Sequence, residues 1–148
     1  MATGRYISDL DAGDDLGRVL YTVSAFTVRE YCHAVEMSAE MFLGIDNPVA
    51  PPTLVHLDKL KLYEAACPGG SGPTARLHVE FDATYHAPVP VGAEIEVTGK
   101  VTERFIRRGR TYVVTEIAMR RPGTAEPLVN YRDTIILGYE AEKAEASA

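Results

Sequence analysis

The sequence predicts an α+β domain in which an antiparallel sheet wraps one strongly apolar helix. Three observations carry this. Residues 54–66 hold Leu54, Leu57, Leu60, Leu62 and Tyr63, apolar around most of a helical circumference, and such a helix demands cover on nearly every side. Downstream the period changes to two: Leu77, Val79, Phe81, Ala83 and Tyr85 alternate with His78, Glu80, Asp82, Thr84 and His86, the pattern of a long half-buried strand. Three more strand segments then follow on short connections, which favour antiparallel neighbours, and a helix followed by strands in series is α+β order.

Each element has its own local reason. Residues 18–26 (RVLYTVSAF) are β-branched and aromatic enough for a first strand. Thr27 opens a T-V-R-E capping-box pattern with Glu30; Val28, Tyr31, Cys32, Val35 and Phe42 recur behind it at helical spacing, so a first helix is expected to run to about Phe42 and end at Gly44. Pro48, Pro51 and Pro52 stiffen the next segment into an extended approach, and Thr53 is the expected N-cap of the apolar helix. Residues 67–73 (CPGGSGP) form a loop. The strand over 74–86 leads through a Pro-Val-Pro-Val-Gly turn to a strand marked by Ile95, Val97 and Val101. A turn at Arg107-Arg108-Gly109-Arg110 precedes a strand with Val113, Ile117 and Met119, and a turn at 121–127 precedes the last strand, 128–139. These four are expected to pair in sequence as a meander. One domain over 1–139, with a small charged tail over 140–148, is the predicted organisation.

Composition narrows the function. The 148 residues suit one domain with a sizeable core. Fifteen basic and twenty-one acidic side chains leave a net charge of −6, which argues against nucleic-acid binding. No apolar stretch approaches the ~20 residues of a membrane span, and residues 1–17 carry four aspartates and no apolar core, unlike a signal peptide; a cytoplasmic protein is expected. Cys32 and Cys67 fit no metal or redox spacing, and Cys32 reads as a buried apolar residue. No glycine-rich phosphate loop supports nucleotide chemistry, and no ligand spacing points to a metal.

Two segments resemble a known family. Pro48-Val49-Ala50-Pro51-Pro52-Thr53-Leu54 is similar to the P-V-A-P-P-T-F stretch leading into the central helix of MaoC-like dehydratases, the N-terminal-dehydratase branch in particular. Tyr85-His86-Ala87-Pro88-Val89-Pro90-Val91-Gly92-Ala93 resembles that family's Y-x-R-P-V-x-x-G-D stretch, which joins two long strands. The resemblance implies the hot-dog fold, acyl thioesters of coenzyme A or an acyl carrier protein as substrates, and no bound cofactor. It also implies a homodimer or higher oligomer, or a heterodimer with another hot-dog subunit, with sheets joined edge to edge and sites between subunits. One departure matters. Active hydratases of the family carry an Asp and a His in a D-x-N-P-x-H segment after the first helix, whereas here residues 33–38 pass straight into 39–44, and Asp46-Asn47-Pro48 has no His two residues later. The dyad is therefore carried over to no residue.

Hydration of an enoyl thioester needs a general base near the β-carbon and donors on the thioester oxygen. The N–H groups of Thr53 and Leu54 are the candidate donors, although Thr53 equally suits a plain cap. Glu36 and His56 are the candidate bases; a solvated carboxylate and a core or interface histidine are the ordinary alternatives. His33, one turn before Glu36, and Asn47 are candidate substrate contacts, and Arg107, Arg108 and Arg110 are candidate ligands for the carrier's phosphates or for an acidic carrier surface. His78 and His86 fall on the polar face of their strand with Glu80 and Asp82. The leading expectation is a hydratase or dehydratase. The alternatives are a non-catalytic subunit that shapes a pocket for a dyad-bearing partner, an acyl thioesterase using Glu36, and an enzyme reusing the pocket for another addition or cyclisation.

Overall fold

The computed structural model describes residues 5–70, 72 and 76–137; the tail expected over 140–148 lies outside them. Five strands, β1 (Asp15–Thr22), β2 (Arg76–Tyr85), β3 (Glu94–Arg107), β4 (Arg110–Arg120) and β5 (Val129–Leu137), form one antiparallel sheet in the order β1-β3-β4-β5-β2. The helices are α1 (Ala25–Ala34), α2 (Glu40–Leu43), α3 (Pro52–Asp58) and α4 (Leu60–Ala66). Leu54, Val55, Leu62 and Tyr63 bury against Ile95, Val97, Val101, Val113, Ile117, Met119 and Tyr131 of the sheet, so the sheet covers the apolar helix on this side, while Leu57 and Leu60 stay exposed on the other.

The pairing differs from a four-strand meander. Only β3, β4 and β5 are sequential neighbours; β2 crosses to the far edge and pairs with β5. The connection after β2 cannot turn straight back because another segment claims its backbone. Ala50 N–H donates to Val89 O at 2.8 Å, Val91 N–H to Pro48 O at 3.0 Å and Gly92 N–H to Val23 O at 2.9 Å, and Val49 and Pro90 form an isolated antiparallel bridge. The two proline-rich segments thus pair with each other across the end of the sheet.

Local chemistry moved several helix boundaries. The first helix is capped by Ser24, whose Oγ accepts from Thr27 N–H at 3.1 Å, three residues before the expected cap. It ends at Ala34 rather than Phe42: Met37 N–H reaches Cys32 O at 2.8 Å around Glu36, which takes φ 58°, a Schellman ending with a non-glycine residue at its left-handed position. Gly44 does close α2, its N–H donating to Glu40 O at 2.9 Å. Pro51, not Thr53, is the N-cap of α3; Pro52 at the first helical position is pre-organised for it. The apolar helix is also broken into α3 and α4 at Lys59.

A bulge in β2 re-aims side chains. The register with β5 shifts between His78 and Glu80, so His78 pairs with the buried Ile135 and Arg76 with the buried Leu137, while Phe81, Ala83 and Tyr85 pair with Asp133, Tyr131 and Val129. His78 and Arg76 therefore face the helices, and the expectation that His78 shares the solvent face with Glu80 and Asp82 is corrected. On that solvent face the register aligns Asp15, Lys100, Glu116, Arg132 and Asp82 in one alternating row across all five strands, with Arg132 bonded to Glu116 at 3.1 Å and to Glu103 at 2.9 Å.

Candidate functional site

Two cavities lie in succession along the seam where α3 runs beside β2. Tyr85 OH donates to Pro52 O at 3.0 Å at one end. The His56 ring sits 4.2 Å from Phe81 in the middle and 6.2 Å from His78 beyond it.

The first cavity, about 380 Å³, opens where the two proline-rich segments meet the start of α3. Phe42, Val49, Pro52, Val55 and Val89 make it apolar, and Tyr85 and His86 bring its polar groups. Among the described residues no carboxylate lines it. His86 Nε2 faces Asn130 Nδ2 at 3.0 Å, and just beyond Pro52 the Tyr31 hydroxyl donates to Thr53 Oγ1 at 2.5 Å. Such a cavity suits a hydrocarbon chain oriented by a few rim groups.

The second cavity, about 250 Å³, is charged. Its wall brings His56, Lys59, Arg76, His78 and Asp133 together over Leu57, Leu60 and Ile135. Lys59 Nζ donates to Asp133 Oδ1 at 2.5 Å, and both side chains are almost inaccessible, at 3% and 4% exposure. Lys59 also lies 5.3 Å from the ring centres of Phe81 and Tyr131. Burial lowers the Lys59 pKa against the pull of Asp133. His56 is pushed below the usual histidine value, first by burial and then by Lys59, and its Nδ1 is buried with no partner. His78 Nε2 stands 3.7 Å from Asp133 Oδ1.

No family model matches this chain, and no curated protein matches it. Solved structures do. A chain of the C-terminally truncated HadBC (3R-hydroxyacyl-ACP dehydratase) complex from Mycobacterium tuberculosis superposes with a TM-score of 0.69 at 21% identity, over 84% of this chain and 96% of that one. The (R)-hydratase from A. caviae involved in PHA biosynthesis gives 0.66 at 16% identity, over 86% and 96%. The MaoC-like dehydratase from Rhodospirillum rubrum gives 0.67 at 14% identity, over 91% and 97%. The chain has the hot-dog fold. Its structural neighbours are MaoC-like dehydratases and related hydratases, at identities that establish the architecture alone.

Within this hot-dog frame the residues singled out from sequence scatter. Glu36 and His33 are exposed at the end of α1, and Asn47 is exposed in the approach to α3; none lines either cavity. Thr53 is held by Tyr31 rather than capping. Leu54 is buried in the core, and its N–H is spent on Pro51 O at 3.0 Å, so it is not a free donor for a thioester oxygen. His56 reaches the charged cavity. Arg107, Arg108 and Arg110 sit at a tight turn with Arg108 at φ 51° and Gly109 at φ 74°, and Arg110 begins β4 while Met119, opposite Val129, lies at the Tyr85 end. Nine strand steps at ~3.3 Å separate these ends by roughly 30 Å, so one protomer does not bring the arginines to the apolar cavity.

Sequence reasoning assigned no site role to Tyr85 and His86 at the apolar cavity, to Tyr31 beside it, or to Lys59, Arg76 and Asp133 at the charged one. A signal existed for Lys59 alone, as a cation inside an apolar helical run. Arg76 enters through the β2 bulge, and Tyr85, His86 and Asp133 through the crossover that pairs β2 with β5, neither of which alternation reveals; Tyr31 depends on the packing of α1 against the start of α3.

Proposed function

We propose that this chain binds acyl thioesters of coenzyme A or an acyl carrier protein as one subunit of a hot-dog hydratase or dehydratase, with the acid and base supplied by a partner subunit. The observation that carries this is the apolar cavity at the start of α3, which has the size and lining for an acyl chain yet no carboxylate among its described residues. Glu36, one of the two expected bases, stands in solvent and does not line it, and the sequence holds no D-x-N-P-x-H run of the kind the family resemblance implies. The HadBC neighbour is itself a complex. In this reading the thioester head lies near Tyr31, Thr53, Tyr85 and His86, the chain occupies the apolar cavity, and no cofactor takes part. The subunits meet through the open edge of β2.

One specific observation favours a second reading, in which the chain acts alone: His86, an ordinary general acid-base type, stands at the rim of that cavity. Enoyl-thioester hydration by the purified protein, followed by absorbance with free thiol scored in parallel, separates the two. The expected result is saturable binding of acyl-CoA without hydration or thiol release. Hydration that disappears in His86→Ala would move the chemistry to this chain, thiol release would make it a thioesterase, and absence of acyl-CoA binding at every chain length would overturn the assignment.

A further inference from the structure

The charged cavity takes no part in the thioester binding proposed above, and its charges do not balance. Among the described residues Asp133 is the one carboxylate on its wall, and Lys59 consumes it at 2.5 Å. Arg76, the other cation, has no carboxylate within ion-pair distance among the described residues and lies 5.8 Å over the Tyr63 ring instead. Even with both histidines neutral, the wall therefore carries one positive charge in excess; Arg76 is half-buried and His78 is 41% exposed, so a dissolved anion can reach it. The β2 bulge sharpens the point. Without the register shift at Val79, Arg76 and His78 would face solvent; with it they join His56 around one space. Bulges that re-aim side chains recur beside functional sites.

We propose that this cavity is a carboxylate site, holding the charged end of a short aliphatic chain between the Arg76 guanidinium and the imidazoles of His56 and His78. A planar guanidinium is the natural partner of a carboxylate, and the imidazoles of His56 and His78 line the same space. Leu57, Leu60 and Ile135 line the rest, which selects an aliphatic chain over a bare inorganic anion. About 250 Å³ equals the share of roughly eight waters at ~30 Å³ each, room for a short acid. The chain has two sources with one chemistry: a free short-chain acid, or the far carboxyl of an acyl group whose thioester lies at the Tyr85 and His86 rim and whose chain runs through the apolar cavity along the same seam. Only the second source rests on the acyl-thioester reading.

Calorimetric titration with butyrate, butyramide and inorganic phosphate tests the site directly, with the ring protons of His56 and His78 followed by NMR. Butyrate is expected to bind saturably and shift both histidines, while the amide and phosphate bind at least tenfold more weakly. Arg76→Gln and, separately, His78→Asn are expected to weaken butyrate at least tenfold with unchanged circular dichroism. Equal binding of butyrate and butyramide, equal binding of phosphate, or butyrate binding indifferent to both variants would overturn the proposal. Competition then decides the source. Displacement of butyrate by a carboxyl-ended acyl-CoA but not a methyl-ended one assigns the substrate's far end; displacement by neither assigns a free acid. Acyl-CoA binding itself is read separately, so failure of the acyl reading leaves the butyrate result standing.

Discussion

Glu36 occupies the position after α1 where the backbone turns left-handed, at φ 58°. For an L-residue other than glycine that conformation costs about 1–2 kcal/mol, and glycine is the residue such helix endings favour. Glu36→Gly is therefore expected to raise stability by about 1 kcal/mol, read as a higher denaturant midpoint at unchanged slope; a lower midpoint would mean that the carboxylate makes a contact worth more than the strain. His56 supplies a second residue-level prediction. Its folded pKa is lowered by burial and by Lys59, so on acidification the unfolded chain takes up this proton first, near 6.5. Stability is thus lost as pH falls from about 6.5 toward the lower folded value, and below both values the loss is constant. Denaturation of wild type and His56→Gln across pH 4–8 isolates the effect, because the difference between the two curves should change only in that window. A difference independent of pH would remove the charge-based account of the second cavity.

At the scale of elements, α4 and β3 approach each other closely at Gly99. A Cβ on Gly99 would stand 2.7 Å from Leu62 Cδ2, 3.1 Å from Ile117 Cγ1 and 3.3 Å from Glu116 O. Leu62 can rotate, but the backbone oxygen and the packed Ile117 give little room, and overpacking of this kind costs about 1–3 kcal/mol. Gly99→Ala should lose that much stability in equilibrium unfolding, and Gly99→Ala with Leu62→Ala should lose less than the sum of the two single changes. That contact shows where sequence reading succeeds and where it stops. The period-two run over 74–86 and the Arg108-Gly109 turn locate strands and a hairpin through local rules, and the observed strands lie within a few residues of those expected. Pairing partners are non-local: nothing in residues 76–85 states that they join β5 instead of β3. The Ser24 cap, the left-handed Glu36 and the break at Lys59 likewise depend on competition among neighbouring local signals, settled by packing. The candidate site fared worst for the same reason. His56 was reachable because a histidine stands out in an apolar helix, whereas Arg76 and His78 enter the cavity only through a bulge.

Among the described residues, one side of the whole molecule is left unfinished. β2 is a ten-residue strand at the sheet edge, and an open edge of that length is a template for pairing unless it is guarded. A bulge and the charges of Arg76, Glu80 and Asp82 break up part of this edge, yet the flank beside it is apolar: Leu57 and Leu60 are 47% and 38% exposed on the helices, and Phe81 is 46% exposed on the strand. The apolar helix predicted to need cover on nearly all sides lacks it on the flank facing β2. A second hot-dog subunit joining edge to edge would pair the free backbone groups of β2 and cover these side chains together, and it would close the outer wall of the seam that holds both cavities. Leu57 and Leu60 are exposed within the protomer, so charges there leave its own core intact. Leu57→Glu with Leu60→Glu is expected to convert a dimer or larger assembly to monomer in sedimentation velocity at micromolar concentration, with circular dichroism unchanged, and to weaken acyl-thioester binding along with assembly. A wild-type protein that sediments as a monomer, or a double variant that still assembles, would show that this flank is not where subunits meet, and the missing acid and base would then have to be sought on the chain itself, beginning with His86.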